Sequence, residues 1–246
     1  MISILSSSVF SCPRNESREN QDSVLHPTQI DGGFIMAVAD GVGGYKGGKE
    51  ASEAVVKHLS GMGSLVLAED LTKTFTELKS AVASLSERDS SLASAATTLT
   101  LCIVDDSGLT IGHAGDCRVY LKYDGKLRQV TKDHTQHQML IDNGMFTARE
   151  LKKAKGKNVI TTAVSANIKL TEQVFNIPKE DLPLSNGVLS LFIMSDGAHS
   201  FWELRPRFSI NTLSNSSRFA NSLKNRIESK GPVDDYSLLA VNVKFS

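Results

Sequence analysis

The stretch Val38-Ala39-Asp40-Gly41-Val42-Gly43-Gly44 decides how the rest of the chain is interpreted. An apolar run typical of a strand ends at a carboxylate and passes directly into glycines. Glycine has no side chain, so the backbone of such a turn can approach a ligand closely, and its carbonyl oxygens can join the carboxylate around a hard cation. Taken alone, the pattern is more typical of a tight turn than of a metal site.

The same arrangement, an aspartate at the end of a predicted strand, occurs three more times. The further cases are Asp196 after the apolar run Leu189 to Met194, Asp116 between two predicted strands, and Asp234-Asp235 before the last predicted strand. Carboxylates that meet at one end of a sheet repel each other unless a cation neutralises them. Oxygen-only ligand sets suit Mg²⁺ or Mn²⁺ rather than zinc. The repetition therefore favours a metal site over four unrelated turns.

Hydrophobic periodicity predicts many short strands and a few helices. Leu99, Leu101 and Ile103 alternate with more polar residues, which predicts a strand with one core face. Short Asp and Gly turns between some strands favour antiparallel meanders. Further strands are predicted at 33–39, 109–113, 118–123, 188–195 and 236–243, and helices at 51–59, 70–85, 148–155 and 219–227. We therefore expect an α+β fold with two antiparallel sheets and helices outside them.

Composition excludes several classes of protein. The chain has 246 residues, with Lys+Arg 27 against Asp+Glu 27. It therefore lacks the excess of basic residues that would predict a nucleic-acid partner. Three separated cysteines form no pair with zinc or disulfide spacing. The chain has no apolar run near 18 residues, so we expect a cytoplasmic protein with no membrane contact. It has no linker-like tract, so we expect a single domain over 1–246.

Seven motifs, taken in order, resemble those of the metal-dependent protein phosphatases of the PPM, or protein phosphatase 2C, family. The resemblance runs from about Arg18 to Val243. The motifs are Asn20-Gln21-Asp22, Asp40-Gly41-Val42-Gly43-Gly44, Thr97-Thr98, Gly115-Asp116-Cys117-Arg118, Asp133-His134-Thr135, Ser195-Asp196-Gly197 and Asp234-Asp235-Tyr236-Ser237. A segment at about 145–166 further resembles the flap of the short bacterial members.

The resemblance implies a four-layer αββα sandwich with a binuclear Mn²⁺ or Mg²⁺ centre between the sheets. Asp40 would bridge both ions, the Gly41 carbonyl would bind the first, and Asp196 and Asp234 would bind the second. Asp22 would hold metal-bound water. Some family members bind a third ion, and in this chain Asp116 and Asp196 would be its ligands. Such a centre activates water directly, so no covalent phospho-enzyme is expected.

Some residues depart from the family pattern. Ser17 stands where the family has its phosphate-binding arginine, and Arg18, one position later, would serve only if a loop or bulge restored its direction. Val42 replaces a histidine that can act as general acid. In the flap, Thr162 and Ser165 replace the usual Arg and Gly, so substrate contacts there are in question.

The resemblance implies hydrolysis of phosphoserine and phosphothreonine in proteins, with phosphoprotein substrates and a cognate Ser/Thr kinase as partners. We expect a monomer. Two alternatives remain open at this point: a catalytically weak or silent family member that binds phosphoproteins as a regulator, and a small-molecule phosphoesterase.

Overall fold

The computed structural model describes residues 1–43, 46–62, 68–151, 154–156 and 159–246. The strands are β1 Ile2–Cys12, β2 Asp22–Ile30, β3 Gly33–Asp40, β4 Ala96–Thr97, β5 Leu99–Asp105, β6 Gly108–Ala114, β7 Arg118–Tyr123, β8 Lys126–Gln129, β9 Val164–Ser165, β10 Gln173–Pro178, β11 Val188–Met194 and β12 Tyr236–Phe245. The helices are α1 Gly48–Ser60, α2 Ala68–Ala83, α3 Leu85–Arg88, α4 Gln136–Asp142, α5 Ala148–Leu151, α6 Asp196–Leu204, α7 Ile210–Leu213 and α8 Ser216–Lys230, with 3-10 turns at Ser90–Leu92 and Lys179–Asp181.

Two five-stranded sheets form the centre of the fold. Their strand orders are β1-β12-β11-β7-β8 and β10-β6-β5-β3-β2, and the short strands β4 and β9 pair with each other. All of these strand pairs are antiparallel. The apolar strands β11 and β12 occupy inner positions, as their sequences predict. The predicted α+β sandwich is confirmed.

Strand β5 shows how the layers are held together. Leu99, Leu101 and Ile103 belong to a core cluster shared with α1 and α2, whereas Cys102 and Val104 belong to the cluster between the two sheets. The prediction of one core face is therefore wrong, because this sheet lies between a helical layer and a second sheet. A third cluster packs α6 and α8 against the outer face of the other sheet.

The helical predictions are confirmed in part. Helices α1 and α8 cover the predicted segments, and α2 covers most of the helix predicted over 70–85 but ends at Ala83. The flap begins with a capping box in which Glu150 Oε2 accepts from the Thr147 N–H at 2.7 Å. The helix predicted over 148–155 is shorter, since α5 ends at Leu151 and residues 154–156 form a turn. Lys152, Lys153 and Lys157, like Gly44, lie outside the described residues.

Helix α6 was not predicted. Asp196 and Gly197, which follow the strand predicted over 188–195, form its first residues. A Cβ at Gly197 would lie 2.0 Å from the Asp235 carbonyl oxygen, so only glycine allows the helix to start against the segment before β12. In the described part of the chain, no helix is long and apolar enough to cross a bilayer. The cysteines are free thiols.

Candidate metal centre

Asp22 and Asp40 lie directly opposite each other on β2 and β3. The Asp40 backbone is fixed by the Thr97-Thr98 pair: its carbonyl accepts from the Thr98 N–H at 2.8 Å and from Thr97 Oγ1 at 2.9 Å, and its N–H donates to Thr98 Oγ1 at 3.2 Å. The two threonines therefore hold the strand end that presents the Asp40 carboxylate.

Gly41 turns the chain immediately after Asp40. Its N–H donates to the Gln21 carbonyl at 3.1 Å, and it forms a bridge with Thr97. A Cβ at this position would lie 2.5 Å from the backbone of Gly48, the first residue of α1. The close approach of two backbone segments thus requires glycine here.

Ser195 connects the second sheet to Asp22. Its hydroxyl donates to Asp22 Oδ2 at 2.9 Å and accepts from the Ser237 N–H at 2.9 Å, while its own N–H donates to the Ser237 carbonyl at 3.0 Å. One buried serine therefore joins β2, the start of α6 and the start of β12. Asp196, the residue after it, is carried by α6.

Asp116 lies in the connection between β6 and β7 and is 7% exposed. The connection is held on both sides: the Gly115 carbonyl accepts from the His134 N–H at 2.7 Å, the Gly115 N–H donates to His134 Nδ1 at 3.2 Å, and His199 Nε2 donates to the Asp116 carbonyl at 3.1 Å. His134 thus acts structurally here.

Burial dominates the electrostatics of Asp22. Together with the charges of Asp196 and Asp235, and against hydrogen bonds from Ser237 and Ser195, it raises the pKa of Asp22 to about 7. Asp22 Oδ1 is fully buried and has no hydrogen-bond partner among the described residues. A buried oxygen of this kind is normally satisfied by a hydrogen-bond donor, a water molecule or a cation.

Asp40 and Asp116 share this environment. Burial raises the pKa of Asp40 well above its usual value, and the charges of Asp22 and Asp196 raise it further. Burial also raises the pKa of Asp116, again with a contribution from Asp196, which Arg118 opposes in part. The carboxylates therefore destabilise one another's ionised forms, and bound cations would remove that penalty.

These side chains meet in a cavity of about 390 Å³ between the two sheets. Its lining consists of Arg14, Arg18, Gln21, Asp40, Gly41, Val42, Gly43, Thr98, Asp116, Ile160, Asp196, Asp234 and Asp235. The structure thus brings together all the sequence-predicted site residues in or, for Asp22, beside one cavity.

The donor set fits hard divalent cations. Among the described residues no three carboxylate, imidazole or thiol side chains form a closed cage for one ion. Mg²⁺ in proteins commonly keeps several waters and takes one or two carboxylates, so such a cage is not required. Asp40, Asp196, Asp234 and Asp116 with the Gly41 carbonyl could share two or three ions in this way.

Arg18 lies in the loop between β1 and β2, not on a strand, and lines the cavity. A loop is one of the two conditions under which it could replace the arginine missing at Ser17. The sequence analysis missed Arg14, which lines the same cavity. The only sequence signal for Arg14 is its distance along the chain from Asp22, and that distance matches no motif used in the sequence analysis.

A second cavity of about 460 Å³ shares Asp116, Asp196 and Asp234 with the first. Ile141 and Leu151, from the α4 and α5 segments, form part of its wall. The flap region therefore borders the acidic site. Thr162 and Ser165 are buried: Thr162 Oγ1 donates to the Lys169 carbonyl at 3.1 Å, and Ser165 belongs to β9.

Comparison with known proteins identifies the family. The model of the family described as protein phosphatase 2C matches residues 13–240. The chain belongs to this family. The serine/threonine phosphatase stp of Listeria monocytogenes is 30% identical over 179 residues, which are 66% of this chain and 71% of that protein. The phosphatase PstP of Mycobacterium tuberculosis is 34% identical over 153 residues, 60% of this chain and 29% of that protein. The chain is thus a PPM phosphatase of the short bacterial type.

Solved structures show the same fold. A bacterial serine phosphatase superposes with a TM-score of 0.81 at 17% identity, covering 99% of both chains. The catalytic domain of PstP, solved in complex with two manganese ions, superposes with a TM-score of 0.73 at 25% identity, covering 99% of this chain and 100% of that one. The predicted PPM fold is confirmed, and the manganese complex supports a divalent metal requirement in this family.

Proposed function

We propose that this chain hydrolyses phosphoserine and phosphothreonine in proteins, with two or three Mn²⁺ or Mg²⁺ ions in the cavity, Asp116 being a ligand of the third where one binds. The observation that carries the proposal is the convergence of Asp22, Asp40, Asp196 and Asp234 on a cavity that also has arginines in its wall. The carboxylates would hold cations, and Arg18 would hold the substrate phosphate.

Each aspartate has a distinct role in this proposal. Asp40 would help to hold both ions, the Gly41 carbonyl would help to hold one of them, and Asp196 and Asp234 would hold the other. When bound, the ions lower the pKa of water and offset the charge that develops at phosphorus. Asp22, oriented by the Ser195 hydroxyl at 2.9 Å, accepts a hydrogen bond from water inside the cavity and so orients it.

The residues around the site favour attack by water over a covalent route. Cys117 is the thiol near the centre, 3.4 Å from Thr98 Oγ1, and burial followed by the Asp40 charge raises its pKa well above its usual value. A thiol held neutral is a poor nucleophile. Val42 lines the cavity and cannot donate a proton, so the leaving oxygen takes its proton from water or another group.

The substrates in this proposal are phosphoproteins, and a Ser/Thr kinase must install the phosphate that is removed. We further propose that residues 1–246 act as one domain, with a flap at about 145–166, and as a monomer in the cytoplasm. Thr162 and Ser165 are buried and do not belong to the lining of the acidic cavity.

A phosphothreonine peptide incubated with Mn²⁺ tests the proposal. We expect release of phosphate that stops with a chelator, returns when Mn²⁺ is restored, and survives thiol alkylation. A silent regulator would bind the peptide without turnover, and a small-molecule phosphoesterase would hydrolyse phosphorylated metabolites in preference to the peptide. Hydrolysis that persists after exhaustive chelation would refute the metal centre.

A further inference from the structure

The loop between β1 and β2 is a compact turn built on Asn15. The Asn15 carbonyl accepts from the Arg18 N–H at 3.2 Å, and Asn15 Oδ1 accepts from the Ser17 N–H at 3.1 Å and from Ser17 Oγ at 2.7 Å. These bonds reverse the chain between Arg14 and Arg18. Both arginines consequently line the acidic cavity although they are four positions apart.

A single carboxylate closes this loop at its two ends. Asp235 Oδ1 accepts from the Arg14 N–H at 2.8 Å, and Asp235 Oδ2 accepts from the Gln21 N–H at 2.8 Å. Hydrogen bonds from backbone N–H groups to a carboxylate are among the stronger ones in proteins. Asp235, which precedes β12, therefore fixes where the loop and its arginines stand.

Both arginines are available to a ligand. Their side chains are exposed, and in the described ranges neither guanidinium forms an ion pair with another residue. They are the cationic side chains of the cavity lining. In the proposed function the bound cations and Arg18 account for the phosphoryl oxygens, so the donors of Arg14 remain for a different anion.

We propose that Arg14 is a second anion-binding residue of the substrate cavity, held in place by Asp235, and that it selects phosphopeptides with an acidic side chain beside the phosphorylated residue. This inference rests on the proposed function and names its substrate class. Arg14 is then a specificity residue, and Asp235 is a positioning residue that acts through the loop.

Arg14→Gln tests the specificity directly. The probes are two phosphothreonine peptides that differ only in glutamate or glutamine flanking the phosphothreonine. We expect the wild-type protein to favour the glutamate peptide and Arg14→Gln to reduce that preference about fivefold, through KM rather than kcat, as for one partly exposed ion pair. Arg218→Gln, an exposed arginine on α8, is the matched control and should leave the ratio of the two peptides unchanged.

Two outcomes overturn the assignment of Arg14. If the preference is unchanged in Arg14→Gln, the residue binds no second anion. If the variant hydrolyses both peptides and an aryl phosphate more slowly by the same factor, Arg14 binds the phosphate itself or stabilises the loop. Fluorescence anisotropy of the same peptides, labelled, measures binding separately from turnover. If the wild-type protein shows no turnover, the proposed function is refuted. The preference for the glutamate peptide in binding then still tests the role of Arg14.

Trypsin tests the role of Asp235, since it cleaves after Arg14 and Arg18. In Asp235→Asn one acceptor oxygen becomes an amide nitrogen, so one end of the loop is released. We expect cleavage at these two bonds to become about fivefold faster, and the glutamate preference to fall with it. Asp105→Asn, which alters a carboxylate that accepts backbone bonds in the β5–β6 turn, is the control. An unchanged rate of cleavage in Asp235→Asn would contradict the positioning role of Asp235.

Discussion

Asp133, Asp22 and Asp40 are all largely buried, yet the chain treats them differently. Arg118 donates to both Asp133 oxygens, from Nε at 2.8 Å and from Nη2 at 2.6 Å. The side chains of this pair are 16% and 12% exposed, respectively. Around Asp22 and Asp40, by contrast, the main charged influences are other carboxylates.

The difference separates an acidic group that the chain itself pairs from acidic groups for which we propose an external cation. Leaving buried carboxylates without a cation is costly, so a folded chain normally pairs them with Arg or Lys. Arg118 lies only two residues after Asp116 but extends to Asp133. Two hydrogen bonds of this guanidinium go to Asp133, and in the proposed function metal ions would neutralise the carboxylates of the site.

Asp40→Asn should have the largest effect. It removes the charge that the proposal shares between two ions, and a loss of about 4 kcal/mol of transition-state stabilisation corresponds to about a 1000-fold fall in turnover. The measurement is phosphate release from a phosphothreonine peptide with Mn²⁺.

Asp124→Asn is the matched control for that variant. Asp124 is exposed, in the β7–β8 turn, with φ 42°, a conformation that asparagine also adopts readily. Its turnover should equal that of the wild-type protein. Equal losses in the two variants would mean that acidic charge in general, and not this site, supports activity.

Arg118→Met tests the same comparison at the aspartate that is paired within the chain. Asp133 would keep its charge without its partner, and loss of one member of a buried pair costs about 3 kcal/mol of unfolding free energy. Urea unfolding of the metal-free protein measures this loss. The double variant Arg118→Met/Asp133→Leu should recover most of it, and a double variant as unstable as the single one would show that packing matters more than charge.

Much of the fold follows from local patterns in the sequence. The alternation in β5 and the apolar runs of β11 and β12 depend on neighbours in sequence, and all three strands form as predicted. Helix α6 was missed because the Asp-Gly pair at its start has turn propensity, and only the distant Asp235 carbonyl explains why glycine stands there.

The site was predictable where it depends on motifs and not where it depends on long-range hydrogen bonds. The sequence places the metal-site aspartates at strand ends, and the antiparallel register brings them together. The bonds of Asp235 to Arg14 and Gln21 join residues more than 200 positions apart. No local pattern encodes such a contact, so Arg14 was not recognised.

Asp116→Asn should have a smaller effect than Asp40→Asn. The proposal gives Asp116 only to a third ion, so we expect turnover to fall about tenfold while two Mn²⁺ ions remain bound. Steady-state hydrolysis and metal analysis of the same preparation check the two parts. A variant that retains fewer than two ions would place Asp116 in the binuclear centre itself.

Calorimetric titration of Mn²⁺ into the metal-free protein tests most directly whether these carboxylates await cations. The wild-type protein should bind at least two ions, and Asp40→Asn should lose tight binding at both of the sites that Asp40 bridges, while Asp124→Asn titrates like the wild-type protein. Tight binding of two Mn²⁺ ions by Asp40→Asn would contradict the account.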